Sequence, residues 1–151
     1  MIRRFKAQDK ELFLKFTRRF YASDVVDHNI PEGFHVDAWE EMMRSDLYMI
    51  GYMIEFEKEA VGYAIISKTY SHEGGGMVWW LEELYIEPAY RGHGLGKAFF
   101  KFLDQEKDVD VTRIRLEVEL DNEKAIKLYK NMGFEILDYG QMVRELRLHN
   151  Q

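Results

Sequence analysis

Apolar residues along the chain keep two periods, and each switch between them marks an element. Residues 2–5 alternate as a short strand, after which Leu12, Phe13, Phe16 and Phe20 recur at helical spacing. The pattern breaks over residues 24–33, and Trp39, Met42 and Met43 then share a face of a second helix over residues 36–44. Residues 48–56 and 61–67 read as two strands joined by a turn at 57–59, a hairpin. The stretch SHEGGG at 71–76 is a loop, and an apolar strand follows over 77–86.

The second half alternates the two periods more sharply. Leu95, Ala98, Phe99, Phe102 and Leu103 fall at i, i+3, i+4, i+7 and i+8, the stripe of an amphipathic helix. Over residues 113–120, Ile114, Leu116, Val118 and Leu120 alternate with Arg113, Arg115, Glu117 and Glu119, which predicts a strand with one covered face. Asp121 or Asn122 caps a last helix whose stripe is Ala125, Leu128, Tyr129 and Met132, and Gly133 ends it. Residues 134–137 and 142–148 read as two closing strands. The order strand (77–86), helix, strand (113–120) predicts a parallel pair with a right-handed crossover, so the expected fold class is α/β.

Composition narrows the chemistry. With 151 residues, 46% of them hydrophobic, the chain suffices for a single domain over residues 1–151. A formal charge of −6 speaks against a general nucleic-acid binder and suits a cationic small partner. No cysteine is present, so thiol nucleophiles and thiolate metal sites are excluded, and the five histidines show no ligand spacing, so no metal is expected. The most apolar run, residues 48–54, is too short to span a bilayer. The expectation is a cytoplasmic protein with no membrane or nucleic-acid partner.

The chemically unusual stretch is IEPAYRGHGLGKAFF, residues 86–100, in which Gly92, Gly94 and Gly96 occupy alternate positions just before a helix. A Rossmann fingerprint needs glycine where Lys97 stands, and a Walker A loop needs Ser or Thr where Ala98 stands, so neither fits. A helix N-terminus attracts anions, and glycines there clear the way to its amides, with Arg91 and Lys97 adding charge. On spacing alone the stretch serves equally as a phosphate cradle or as a flexible turn.

Arg91-Gly92-His93-Gly94-Leu95-Gly96 resembles the (Arg/Gln)-x-x-Gly-x-(Gly/Ala) acetyl-CoA signature of the GNAT superfamily of N-acetyltransferases. LEELYIEPAY before it and NEKAIKLYKNMGF after it resemble the family's neighbouring segments in order and separation. The resemblance implies a mixed sheet of about seven strands, splayed between the fourth and fifth and flanked by about four helices, with acetyl-CoA as co-substrate in the gap. It also implies phosphate contacts at Arg91, Gly92, His93, Gly94, Leu95, Gly96 and Lys97. Main-chain contacts to the pantetheine arm would fall along Leu84, Tyr85 and Ile86, and a further cofactor contact at Asn122, which is equally a helix cap. Tyr129 matches the tyrosine that protonates the departing thiolate, although its spacing is also that of a core aromatic.

The pair Glu82-Glu83 completes the candidate set. Neighbours on a regular strand point to opposite faces, so both acids line one cleft only where the strand is bulged or twisted. The run WLEELYIEPAYRGHGLG particularly resembles spermidine/spermine and related diamine acetyltransferases, which implies Glu82 as the base acting through water and Glu83 as a cation-binding group. Without the resemblance the pair reads as two solvated acids, and Glu117 and Glu119 are reserve candidates. The first helix-to-helix connection, with Tyr21, Asp24, Asp27, His28 and Glu32, is where acceptor binding falls in the family, and Asp24 and Asp27 are its candidate substrate-binding acids. The expected activity is acetyl transfer to a primary amine of a small cationic or amino-acid-like acceptor, and a homodimer is compatible with it. The alternatives are a protein N-terminal or lysine acetyltransferase and a non-catalytic acetyl-CoA sensor.

Overall fold

The computed structural model describes residues 1–23 and 29–147. Within it five strands, β1 (Ile2–Arg4), β2 (Met49–Phe56), β3 (Glu59–Ser71), β4 (Gly76–Ile86) and β5 (Val111–Leu116), form one sheet in sequence order. The first three junctions are antiparallel and the β4–β5 junction is parallel, as a strand-helix-strand unit requires. Four α-helices accompany them, α1 (Lys10–Tyr21), α2 (Glu32–Arg44), α3 (Leu95–Glu106) and α4 (Glu123–Asn131). The chain divides into a unit from Met1 to Leu116 and a second from Glu117 onward.

In the first unit the two sheet faces are covered by different helices. Neighbouring strand residues face opposite ways, so Met53 and Tyr52 of β2 serve separate layers. Met53, Tyr63, Ile65 and Tyr85 pack with Phe13, Leu14 and Phe16 of α1 and Trp39 of α2. Tyr52 meets Phe99 and Phe102 of α3 edge-on, at 5.9 and 5.3 Å between ring centroids. Burying each large side chain of this kind contributes about 1.5–3 kcal/mol, which outweighs the modest propensities of the aromatic-rich helices.

Local chemistry sets the joints. Pro31 places α2's start at Glu32, four residues before the expected one, and its carbonyl accepts from Phe34 N–H at 2.9 Å. Glu57 and Lys58 both take positive φ, 50° and 71°, in the two-residue turn of the β2–β3 hairpin. Arg3 bridges Asp9 and Glu55 at 2.8 and 2.7 Å and pins β1 to the start of α1.

The second unit carries α4, capped by Asn122, whose side-chain oxygen accepts from Ala125 N–H at 3.1 Å. The expected seven strands are a miscount: residues 134–137 and the described part of 142–148 join no ladder, and the sheet among the described residues has five strands. Alternation permits a strand, but only a paired backbone makes one. No helix among the described residues is long and apolar enough to cross a membrane.

Candidate active site

The acid pair sits on an irregularity of β4. Ile66 lies opposite Leu81, and the next pair is Ile65 opposite Glu83, so Glu82 is one residue more than β3 matches, a β-bulge. Glu82 accepts from the Ser67 hydroxyl at 2.6 Å and Glu83 from the Tyr63 hydroxyl at 2.8 Å. Tyr63 and Ser67 are four apart on β3 and share its α1–α2 face, so the bulge turns both carboxylates to one side of the sheet.

Their surroundings differ. Glu82 is exposed, whereas Glu83 is largely sunk beneath α1. Burial pushes the Glu83 carboxyl up to about 7, the Tyr63 hydrogen bond pulls it back in part, and the Glu82 charge adds to the rise. Tyr21, at the end of α1, is raised to about 12 by burial and by the charges of Glu83 and Glu82, which marks it as a neighbour of the pair. Behind them, Thr17 of α1 and His35 of α2 are both buried and meet at 3.1 Å between Oγ1 and Nδ1. Burial lowers the His35 pKa, which holds the ring neutral near pH 7.

Beyond the bulge β4 has an unpaired edge. Pairing to β5 ends at Leu81 opposite Leu116, and among the described residues no strand pairs with residues 82–86 on that side. Glu87 N–H donates to Val61 at 2.8 Å across the other edge, so Tyr85 also directs its main chain to β3 while Leu84 and Ile86 direct theirs to the open edge. The Tyr85 ring is buried against Phe16 and Phe20, a packing role. Arg91 Nε donates to the Ile86 carbonyl at 2.9 Å, which leaves the Ile86 N–H facing the gap.

The strand leads into the glycine stretch. Gly92 and Gly94 take φ of 82° and 75°, the left-handed region that glycine enters without strain, and Gly94 is the N-cap of α3. The amides of Leu95, Gly96 and Lys97 open α3 and have no acceptor within the helix. A Cβ at Gly92 or Gly94 would meet nothing within 4 Å, and one at Gly96 only Leu84 Cδ2 at 4.0 Å. No described atom therefore crowds the turn at the positions where a side chain would stand at Gly92 and Gly94. His93 Nδ1 lies 3.0 Å from the Tyr90 carbonyl, and Tyr90 donates to Glu59 at 2.9 Å. Arg19 of α1 pairs with Glu87, which ties the acid-bearing side of the molecule to the entry of the loop.

Of the sequence-derived candidates, the first unit gathers Glu82, Glu83, Leu84, Ile86 and residues 91–97 along one continuous strand and its following turn. Asn122 and Tyr129 belong to the second unit, where Asn122 caps α4 and the half-buried Tyr129 ring lies 5.9 Å from Phe134. Burial raises the Tyr129 pKa. Asp24, Asp27 and His28 lie outside the described residues. Sequence reasoning missed Tyr63, Ser67, Thr17 and His35. The one signal was a hydroxyl in the otherwise apolar run VGYAII, which requires a partner once buried. Among the described residues no three His, Cys, Asp or Glu side chains gather as a metal cluster.

Residues 12–134 match the family described as Acetyltransferase (GNAT). A thialysine N-epsilon-acetyltransferase of Sus scrofa is 38% identical over 74 residues, 48% of this chain and 43% of that protein. A spermine/spermidine N(1)-acetyltransferase of Bacillus subtilis is 33% identical over 101 residues, 60% of this chain and 66% of that protein. The matches therefore span about half to two thirds of those relatives. Among solved structures, AAC(6')-Iy in complex with the bisubstrate analog CoA-S-monomethyl-acetylneamine superposes with a TM-score of 0.78 at 17% identity, covering 96% of this chain and 97% of that one.

Proposed function

Because the chain belongs to the acetyltransferase (GNAT) family, we propose that it transfers acetyl from acetyl-CoA directly to a primary amine of a small cationic acceptor, with residues 1–151 acting as one domain. The observation that carries this reading is the single strand β4. It presents two acids on one face, then an open main-chain edge, then a turn of glycines into unpaired helix amides. The relatives named for thialysine and for spermine and spermidine support an acceptor with more than one positive charge.

In this reading the first-turn amides of α3, with Arg91 and Lys97, hold the pyrophosphate, and Leu84 and Ile86 pair with the pantetheine arm as an added strand would. Bound acetyl-CoA supplies the thioester. The Ile86 N–H, already fixed by its strand, is placed to stabilise charge on the carbonyl oxygen. An alkyl ammonium with a pKa of about 10.4 is neutral in only about one molecule per thousand near pH 7.4, a cost of roughly 4 kcal/mol. The acid pair removes that proton, the amine lone pair then forms the new C–N bond as the C–S bond breaks, and the acylated nitrogen releases its second proton to solvent to give the amide. Glu83 is the acceptor of the proton, since a carboxyl that titrates near 7 is matched to that task, and the exposed Glu82 holds the cation. This exchanges the roles implied by the family resemblance alone. Tyr129 remains the proposed donor to the departing thiolate, and Asn122 a proposed contact to the cofactor.

The test is an acceptor screen with acetyl-CoA that detects free coenzyme A. Polyamines, lysine-like amino acids and aminoglycosides should be acetylated, and peptide N-termini poorly. With the acceptor found, Glu83→Gln should depress kcat/KM at neutral pH and recover part of the loss at alkaline pH, while Glu82→Gln should mainly raise the acceptor KM. No coenzyme A release with any amine defeats the function. The two profiles exchanged would restore Glu82 as the base.

A further inference from the structure

We infer that Tyr63 is a positioning residue of the acetyl transfer, the phenol that holds the Glu83 carboxylate in place and in its proton-accepting form. The inference rests on the proposed role of Glu83. Packing alone asks only for an aromatic ring at position 63. The side chain is fully buried, met edge-on by Phe13 at 5.3 Å and Phe20 at 6.4 Å and flanked by Tyr85 at 6.0 Å. Such a cage fixes the ring and with it the direction of the hydroxyl, which reaches the Glu83 carboxylate at 2.8 Å. A phenylalanine would fill the same cage and leave the carboxylate without its donor.

An ionised carboxylate only accepts, so Tyr63 must donate to Glu83. The described groups that face Glu83 are Glu82 from its own strand, Tyr63 from β3 and Tyr21 from α1. No described cation is paired with Glu83, so the phenol is what favours its ionised state.

Tyr63→Phe should move the acid limb of kcat/KM upward by about one to two pH units, the worth of a hydrogen bond to a charged group. At pH 7 that is a loss of roughly five- to fiftyfold, regained on raising the pH, with acetyl-CoA affinity unchanged. Difluorotyrosine placed at position 63 keeps the shape and makes a stronger donor, so it should move the limb downward. The Glu83 side-chain carboxyl, followed by 13C NMR titration without any substrate, should shift in the same two directions. A carboxyl titration that stays in place in a folded Tyr63→Phe protein overturns the inference. Should that variant not fold, the difluorotyrosine protein decides: a downward shift supports the inference and no shift overturns it. A titration that moves as expected in a protein that acetylates no amine overturns the proposed function and leaves the coupling of Tyr63 to Glu83 intact.

Discussion

Glu83 holds its proton more tightly in the folded chain than in the unfolded one, rising from the ordinary 4.5 to about 7 with burial as the leading cause. Between those values the folded state binds more protons. Its contribution to stability is therefore complete below pH 4.5 and lost as the pH climbs through 7, on the order of 3 kcal/mol in all. His35 acts in the opposite sense: burial depresses its pKa, so its contribution is present above 6.5 and lost as the pH falls through the depressed value. A wild-type melting curve mixes the two. The difference in Tm between wild type and Glu83→Gln isolates the carboxyl, and it should decline steadily from pH 4.5 to 7. A difference that is flat across this range would mean that Glu83 ionises in the folded protein as an ordinary glutamate does.

The turn from β4 into α3 lends itself to a cleaner experiment than its left-handed glycines allow. Gly96 lies inside the first turn of α3 with no positive φ, and a Cβ there would meet only Leu84 Cδ2 at ordinary contact distance. Gly96→Val should therefore fold with an unchanged or slightly higher Tm, since glycine costs about 1 kcal/mol in a helix. Binding of acetyl-CoA by calorimetry should be lost; wild-type affinity in the folded variant would remove the phosphate cradle. Elements of this kind were legible wherever the apolar spacing had a partner to answer it. The stripes of α1 and α3, the hairpin and the parallel β4–β5 pair all follow from residues such as Phe13, Phe99 and Ile114. Residues 117–120 continue the alternation of β5 without being strand, because β4 gains its extra residue where the pairing stops. Likewise Met142, Val143 and Leu146 lie in a run of mixed apolar and polar residues yet are exposed and join no ladder. The doubled acid at 82 and 83 was visible in the sequence. Tyr63 was not, because its partner is 20 positions away and only the register of β3 against β4 brings them together.

At the scale of the whole molecule, a net charge of −6 would act on the two proposed substrates in opposite ways. It would draw in a cationic amine and repel an anionic coenzyme. Raising the ionic strength from about 0.01 M to about 0.1 M shortens the screening length from about 30 Å to about 10 Å. Over that range kcat/KM for a polyamine should fall severalfold while kcat/KM for acetyl-CoA stays level or rises; equal behaviour of the two would confine the recognition of charge to direct contacts. The bulge on β4 has a consequence of another kind. Leu81 lies opposite Ile66 and Glu83 opposite Ile65, so removing Glu82 would leave neighbours that alternate like any others, with every apolar residue of the strand on its present face. The apolar faces of the strand do not depend on that position, so what a single added codon supplies there is a second carboxylate and the point at which pairing to β5 stops.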